Sequence, residues 1–236
     1  MIPKVVHYCW FGGNQLPDDA KKCIESWRKF FPEYEIKEWN ERNFDVNCCD
    51  YVKEAYAAQK WAFVSDYARF WILYHEGGLY FDTDVELLKP IDSLLEYKAF
   101  IALEVGSPTP YGRLILANSG SGIGAEPHSE TVRKMMRVYE SIPMITETGR
   151  IDHTTCSERA THVLKKLGFD GKNRFQTVAD FTQNISLRSI MPPKSSEQQI
   201  IHSEYIHTTG AGSIPHCSKE SKTAFSVQKP ACLSCA

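Results

Sequence analysis

Apolar and polar residues alternate along the chain in blocks that predict a layered α/β domain. Residues 2–8 form a short run rich in β-branched side chains, which is typical of a buried strand. Residues 17–31 carry apolar side chains at helical spacing, with a proline in the first turn and Pro32 as the stop. Residues 34–39 predict a second strand. This β-α-β opening favours an α/β domain over an all-β one.

The strongest helical pattern covers residues 61–76 and ends at Gly77-Gly78, because glycine commonly follows the last turn of a helix. An apolar strand follows at residues 79–81 and continues into Asp82-Thr83-Asp84. Weaker patterns predict helices over residues 51–58, 128–141 and 156–167, and strands over residues 99–103 and 175–178. Periodicity is lost from Ser186 onward. We therefore predict one domain over residues 1–213 and a C-terminal loop or tail over residues 214–236.

Composition and charge indicate a globular protein. The 236 residues are 42% hydrophobic and 24% charged with a net charge of -2, so nothing favours nucleic acid or an anionic membrane as a partner. No apolar run approaches the ~20 residues that a transmembrane helix needs, and the first residues lack the pattern of a signal peptide. We expect a cytoplasmic protein, free or peripheral at the inner face of the membrane.

The eight cysteines are not spaced like a disulfide framework, which favours a reducing compartment. Cys232 and Cys235 form a Cys-x-x-Cys pair, with His216 and Cys217 upstream. These four residues could form a zinc site, but the spacing is unusual for zinc and the segment is rich in serine and lysine. Free thiols in a tail are the preferred interpretation.

Asp82 and Asp84 are the most informative residues, since one residue separates them at the end of an apolar strand. In a strand, that spacing directs both carboxylates to the same side. Two like charges so close need a cation, a shared proton or strong solvation. Mg²⁺ and Mn²⁺ take carboxylate oxygens together with substrate phosphates, so the pair predicts a metal–diphosphate site, with a solvated turn as the alternative.

Asp66 and Arg69 lie three residues apart on the preceding predicted helix and therefore share one face. One interpretation is a surface ion pair that contributes a few tenths of a kcal/mol. The other is a carboxylate and a guanidinium that bind sugar hydroxyls and diphosphate oxygens beside the metal. The spacing alone leaves both open.

Two families place Asp-x-Asp after an apolar strand. Haloacid-dehalogenase-like phosphatases do so with Asp-x-Asp-x-Thr/Val, which residues 79–85 fit, and Asp82 would then be a nucleophile. That family also needs a later acidic pair, whereas only isolated aspartates follow Val85. The phosphatase is therefore a minor alternative.

The second family accounts for much more of the chain. Ser65-Asp66-x-x-Arg69, followed by Glu76-Gly77-Gly78-Leu79-Tyr80-x-Asp82-x-Asp84, resembles the signature of glycosyltransferase family 32. These DXD-motif sugar-binding glycosyltransferases are related to yeast α-mannosyltransferases and to the clostridial glucosylating toxins. Residues 2–13 and the turn at residues 124–128 are also similar to the family, so the resemblance extends over about residues 1–213.

The resemblance implies a GT-A fold, a twisted and mostly parallel sheet with helices on both faces and nucleotide at the carboxyl ends of the strands. Asp84 would then bind Mn²⁺ or Mg²⁺ beside the diphosphate. Asp82 would bind ribose, the donor sugar or the metal, and Asp66 and Arg69 would hold hydroxyls of the donor sugar. Trp10 would stack on the nucleotide base, with a core tryptophan as the alternative.

His207 is the expected third metal ligand or diphosphate contact, by resemblance to a histidine near the end of family members. The segment that follows departs from the family, since Ile214 stands where a tryptophan is expected. That departure keeps open a second kind of function, a nucleotide-sugar-binding protein without turnover.

The activity that the resemblance implies is a metal-dependent transfer of a sugar from a nucleotide-sugar donor with retention of configuration. A UDP-sugar is the favoured donor, and GDP-mannose is the second candidate. The acceptor would be a glycan or lipid-linked glycan in the biosynthesis of surface polysaccharide.

Overall fold

A computed structural model describes residues 1–109, 112–171, 176–188 and 206–208. The helices are α1 (Asp18–Phe30), α2 (Asp50–Ala57), α3 (Trp61–Glu76), α4 (Glu130–Glu140) and α5 (Cys156–Lys166), with a 3₁₀ helix at Asp92–Glu96. The strands are β1 (Val5–Cys9), β2 (Glu35–Trp39), β3 (Gly78–Tyr80), β4 (Val85–Leu87), β5 (Ala99–Thr109), β6 (Gly112–Ala125), β7 (Gln176–Val178), β8 (Phe181–Arg188) and β9 (Ile206–Thr208).

The central sheet has seven described strands in the order β2-β1-β3-β6-β5-β8-β7. The pairs β1/β2, β1/β3 and β5/β8 are parallel, and β3/β6, β5/β6 and β7/β8 are antiparallel. It follows that β1, β2, β3, β5 and β8 run in one direction, with β6 and β7 opposed. The predicted α/β class with a mostly parallel sheet is confirmed.

Helices cover both faces of this sheet, also as predicted. On one face α1 and the 3₁₀ helix pack on alternate residues of the strands, such as Val6, Leu79 and Phe100. On the other face α2, α3, α4 and α5 pack on the intervening residues, such as Tyr80 and Ile101. None of the helices in the described part of the chain has both the length and the apolar character that a membrane span requires.

The end of α3 confirms the predicted role of the two glycines. Gly77 and Gly78 both have positive φ, at 69° and 96°, where residues with a side chain are strained. A Cβ atom on Gly78 would also lie 2.8 Å from the carbonyl oxygen of Val5. The glycines therefore let the chain leave α3 and enter β3 directly against β1.

The strand β6 was not predicted, and β5 is longer than predicted. Residues 112–125 form β6 although they are rich in glycine and serine, and β5 extends well beyond the predicted strand at residues 99–103. The β5/β6 register shifts between Ile101, which faces Ile123, and Ala102, which faces Asn118. The four residues 119–122 thus bulge out of the ladder, which explains why this strand lacks an alternating pattern.

His7 is fully buried on β1 and hydrogen-bonded at both ring nitrogens. Its Nδ1 accepts the indole N–H of Trp39 at 3.0 Å, so its Nε2 carries the proton and donates to the carbonyl of Gly77 at 3.0 Å. Burial lowers the pKa of His7 to about 4, against smaller raising effects of Glu76 and the Gly77 hydrogen bond. The neutral ring joins β1, β2 and the end of α3.

We predict that acid destabilises the fold through His7. The unfolded chain takes up a proton here near pH 6.5, but the folded chain resists protonation down to about pH 4. The stability contributed by the neutral ring is therefore complete above pH 6.5 and is lost as the pH falls toward 4, by about 3 kcal/mol in total. Chemical unfolding at several pH values between 7 and 4 measures this loss.

The variant His7→Gln isolates this effect, because its unfolding free energy should depend on pH less steeply than that of the wild type. His75→Gln is the matched control, since it replaces an exposed histidine of α3 and should keep the wild-type slope. Equal slopes for wild type and His7→Gln would contradict the assignment.

Candidate active site

The predicted site residues gather at the carboxyl ends of two neighbouring parallel strands. Trp10 follows β1 and Asp82 follows β3, and the two strands pair with Val6 opposite Leu79 and His7 opposite Tyr80. Loops at this edge of an α/β sheet form the usual ligand-binding crevice. The structure thus brings the first loop and the Asp-x-Asp segment to one edge.

Asp82-Thr83-Asp84 forms a turn, which corrects the expectation that both carboxylates project from a strand to the same side. The strand β3 ends at Tyr80, and the backbone N–H of Val85 donates to the carbonyl of Asp82 at 3.1 Å. The backbone N–H of Asp82 donates to the carbonyl of Gly120 at 2.9 Å, which ties the start of the turn to β6. The chain reverses here before β4 begins.

Arg69 is the centre of the site. Its side chain is only 3% exposed, and its Nη2 lies 3.0 Å from Asp66 Oδ1 and 3.1 Å from Asp82 Oδ1. The guanidinium also donates through Nε to the carbonyl of Ser65 at 3.2 Å and through Nη1 to Ser119 Oγ at 3.4 Å. The surface ion pair considered from the spacing of Asp66 and Arg69 is therefore wrong: the pair is buried and shared with Asp82.

The charges of this cluster support one another. Burial alone would lower the pKa of the Arg69 guanidinium, but Asp82 and the other acidic groups around it raise that pKa well above its ordinary value. Burial raises the pKa of Asp66, and Arg69 opposes that rise. We conclude that Arg69 stays charged and that its charge keeps both carboxylates in place.

Tyr80 packs against the cluster. Its ring centroid is 5.0 Å from the guanidinium carbon of Arg69, and its hydroxyl donates to Asp82 Oδ1 at 3.0 Å. Cys156, the first residue of α5, also contacts the guanidinium, with its sulfur 3.6 Å from Arg69 Nη1. Burial raises the pKa of Cys156 to about 12, so this thiol is protonated and hydrogen-bonds to Asp66.

Asp84 fits the requirements of a metal ligand. Its carboxylate is half-buried, and burial together with the neighbouring Asp82 raises its pKa to about 6. Within the described residues no basic side chain forms an ion pair with Asp84. The charge of Arg69 opposes this rise without a direct contact to Asp84. A divalent ion with diphosphate oxygens would bring a positive charge into contact with the carboxylate.

A complete protein cage for a metal is absent from the described part of the chain, where no three His, Cys, Asp or Glu side chains are grouped to hold one. Mg²⁺ commonly takes one or two carboxylates and keeps water and substrate phosphate as its other ligands. Asp82 and Asp84 suit that kind of site.

Trp10 is partly buried, which is compatible with a core tryptophan and with a ring that stacks on the nucleotide base. Its indole N–H donates to the carbonyl of Asn14 at 2.7 Å, and its ring packs on the core beside α1. The loop after it is fixed, because the N–H of Gly12 donates to Glu41 and a Cβ on Gly12 would lie 2.6 Å from Trp61 Nε1. The stacking role of Trp10 stays a prediction.

His207 is placed by its backbone in β9, which pairs antiparallel with β4 and sets His207 opposite Glu86. Glu86 follows Asp84 by two residues, so the backbone of His207, the third predicted ligand, lies near the Asp82-Thr83-Asp84 turn. The predicted zinc alternative and the tail at residues 214–236 lie outside the described residues.

A second polar network was missed from sequence. Asn118 on β6 donates to Glu104 Oε2 at 2.6 Å and accepts the backbone N–H groups of Gly120 and Ser121 at 2.9 and 3.0 Å. Burial raises the pKa of Glu104, which also hydrogen-bonds to Ser157 on α5. This network holds the bulge of β6 whose Gly120 carbonyl receives the N–H of Asp82. No motif in the sequence marks it, because its members are far apart in the chain.

Gly120 leaves the space that the carboxylate cluster occupies. A Cβ atom at this position would overlap Asp82 Oδ2 and lie 3.0 Å from Arg69 Nη1. Glycine is therefore required here by the close approach of the β6 backbone to the site and not by its own torsion angles.

The chain is similar to known proteins over the segment that holds these acidic residues and Arg69. Residues 17–101 match the sequence model of a family described as "Glycosyltransferase sugar-binding region containing DXD motif". That segment includes Asp66, Arg69, Asp82 and Asp84. The resemblance to the DXD-motif glycosyltransferases is thereby confirmed over this part of the chain.

Inositol phosphoceramide mannosyltransferases of Schizosaccharomyces pombe are among the relatives. Number 1 is 32% identical over 111 residues, covering 42% of this chain and 33% of that protein, and number 3 is 31% identical over 108 residues, covering 42% and 29%. The chain thus spans about a third of the length of the curated relatives it matches. The family and these relatives are glycosyltransferases.

Similar solved structures include PaToxG glycosyltransferase, with a TM-score of 0.49 and 17% identity over 70% of this chain and 69% of that one. The galactosyltransferase LgtC, in complex with donor and acceptor sugar analogues, has a TM-score of 0.43 and 14% identity over 80% and 76%.

We predict that Gly120→Ala disrupts the carboxylate cluster. The added methyl group must displace Asp82 from Arg69, at a cost of about 1–3 kcal/mol in the free energy of unfolding, the range for overpacking a well-packed interior. Thermal or urea unfolding measures the loss. Ser121→Ala, in the same bulge, removes a hydroxyl and adds no atom near Asp82, so it should destabilise less. A Gly120→Ala protein as stable as the wild type would show that the bulge can move away from Asp82.

Proposed function

We propose that the chain is a metal-dependent glycosyltransferase that takes its sugar from a nucleotide-sugar donor. The observation that carries the proposal is the buried Arg69, held between Asp66 and Asp82 at the carboxyl edge of parallel strands. This cluster lies inside the segment that matches the sugar-binding region of the family. The guanidinium fixes the two carboxylates, and their remaining oxygen lone pairs are acceptors for the hydroxyl groups of a sugar.

The diphosphate of the donor would bind at Asp84 and Asp82. These residues would hold Mn²⁺ or Mg²⁺, with His207 as the candidate third ligand. When bound, the divalent ion supplies a positive charge that stabilises the leaving nucleotide without a proton transfer. Trp10, in the loop after β1, would stack on the base.

The donor sugar would lie on Asp66 and Arg69. Burial keeps this pair rigid, because Ser65, Ser119 and Tyr80 fix the guanidinium from three sides. A rigid pair orients the anomeric carbon of the donor sugar, and its side chains need not rearrange during the reaction. Asp82 contacts the same guanidinium, so the sugar and the diphosphate are positioned by one connected cluster.

The proposed reaction exchanges one bond at the anomeric carbon for another. The bond to the diphosphate oxygen breaks with its electron pair leaving on the nucleotide, and a bond forms to an oxygen of an acceptor hydroxyl. The hydroxyl proton passes late to the departing diphosphate. Attack from the same face retains the configuration, and it needs no covalent intermediate on the protein.

Two donors remain to be distinguished. The fission-yeast relatives are named mannosyltransferases, which favours GDP-mannose. The resemblance of Asp66 and Arg69 to the arrangement in the glucosylating toxins, with Trp10 in the first loop, favours UDP-sugars. A glycan or lipid-linked glycan acceptor, a role in surface polysaccharide biosynthesis and a cytoplasmic location stay predictions.

A screen of nucleotide sugars tests the proposal without knowledge of the acceptor. The thermal unfolding temperature is measured with Mn²⁺ and each of UDP, GDP, UDP-glucose, UDP-galactose and GDP-mannose. It should rise for one nucleotide class, since a ligand that binds the folded state stabilises that state. Nucleotide release from the same donor should then show slow transfer to water. Binding without any release, over a panel of acceptors, would favour a nucleotide-sugar-binding protein, and no stabilisation by any nucleotide would contradict both.

We predict that Asp84→Asn removes the metal dependence of nucleotide binding. The neutral amide cannot supply the carboxylate charge, so the Mn²⁺-dependent gain in affinity should fall at least about tenfold, or ~1.4 kcal/mol. Calorimetric titration of the preferred nucleotide with Mn²⁺ and with EDTA measures that gain. Asp18→Asn, on the exposed start of α1, is the matched control. An unchanged Mn²⁺ effect in Asp84→Asn would remove this residue from the metal site.

A further inference from the structure

An open surface cavity of about 590 Å³, lined mostly by exposed side chains, lies at the loop before α5 and has no role in the function proposed so far. It opens between the loop before α5 and the first turn of that helix. Its polar lining residues include Thr146, Thr148, Arg150, Asp152, His153 and Glu158. The volume lies within the usual range for small-molecule sites, about 300–1,000 Å³.

The loop that forms the cavity has a defined structure. Ile145 and Ile151 form an antiparallel bridge, and the N–H of Thr146 donates to the carbonyl of Arg150 at 2.8 Å. The N–H of Ile145 also donates to Glu54 at 2.8 Å, which anchors the loop to α2. One wall of the cavity is therefore a fixed hairpin.

Arg159 links this wall to the carboxylate cluster. It is 8% exposed, and its Nη2 donates to Asp152 Oδ2 at 2.8 Å. On its other side its charge acts on Asp66, whose carboxylate it helps to keep ionised. Its guanidinium carbon lies 5.3 Å from the ring centroid of Tyr139, and its buried Nε has no hydrogen-bond partner among the described residues.

Two further contacts bring the cavity to the same place. The ring of His153 lies 6.3 Å from that of Phe63, which precedes Asp66 by one turn of α3. Cys156 directly follows the cavity loop, and its sulfur lies 3.6 Å from Arg69. The cavity thus adjoins the face of α3 that presents Asp66 and Arg69.

The order of these contacts indicates on which side of a bound donor sugar the cavity would lie. Arg69 joins Asp82 to Asp66, and Arg159 stands between Asp66 and Asp152. A sugar held by Asp66 and Arg69 would have its diphosphate at the Asp82 side and the cavity, beyond Arg159, at the Asp152 side. An acceptor hydroxyl has to approach the anomeric carbon from the space next to the bound sugar.

We propose that this cavity is the acceptor subsite and that it takes a pyranoside, a sugar ring presenting several free hydroxyls. The inference rests on the proposed function. Threonine hydroxyls, the Asp152 carboxylate and the Arg150 guanidinium offer both donors and acceptors to hydroxyl groups, and the imidazole of His153 offers an apolar ring face. The sugar hydroxyl becomes the new glycosidic oxygen, and its proton leaves with the nucleotide diphosphate.

Saturation-transfer NMR with methyl α-D-mannopyranoside and methyl β-D-galactopyranoside tests the subsite in the full chain. At least one glycoside should receive saturation from the wild-type protein, and Arg150→Ala/His153→Ala should reduce that transfer at least about fivefold. Arg137→Ala/His162→Ala is the matched control, because it removes the same two residue types from exposed positions on α4 and α5. If the double variant unfolds more readily than the control, Arg150→Ala alone provides the comparison.

Binding of neither glycoside to the wild type, or equal binding to the wild type and the cavity variant, would overturn the subsite. Donor hydrolysis by the wild-type protein, measured with no acceptor present, separates this result from the proposed function. Hydrolysis without glycoside binding would keep the transferase and reject the subsite. Glycoside binding at the cavity without hydrolysis by any donor would keep the sugar site and reject the transferase.

Discussion

A single buried guanidinium connects the parts of this fold that its chemistry needs. Arg69 extends from α3, meets Asp66 one turn earlier on the same helix and reaches Asp82 beyond the end of β3. Burying a charge is costly unless it is paired and hydrogen-bonded, and removing one partner of a buried pair typically costs about 3–5 kcal/mol. The helix, the strand end and the bulge of β6 must therefore keep one relative position for the cluster to exist.

Such a cluster is a weak contributor to stability for its size, since apolar residues of similar volume stabilise a protein interior as well or better. Its value lies in geometry. The network from Glu104 through Asn118 holds the β6 bulge, and the bulge both leaves room for Asp82 at Gly120 and fixes its backbone. The regular ladder of β6 is thus interrupted at the bulge that positions the Asp82 carboxylate.

The local patterns of the sequence were sufficient for the helices and for the identity of the charged residues. The helix of Asp66 and Arg69 and its glycine end are encoded within a few neighbouring residues, so they were predicted. The contact of Arg69 with Asp82 and the β6 bulge depend on pairing between distant segments, which no local period records. The turn at Asp82-Thr83-Asp84 was missed for a related reason, because the strand that precedes it ends at Tyr80, two residues before Asp82.

The division of the site along the chain bears on how it relates to other proteins. Asp66, Arg69, Asp82 and Asp84 fall inside residues 17–101, the segment shared with the family, and the cavity beside α5 falls outside it. Donor chemistry is common to enzymes that use similar activated sugars, whereas the acceptor differs from one to the next. The matched segment ends before the cavity, as expected if the shared residues hold the donor and the cavity holds the acceptor. The family match over residues 17–101 therefore bears on the proposed donor site, whereas the proposed acceptor subsite depends on residues outside the match.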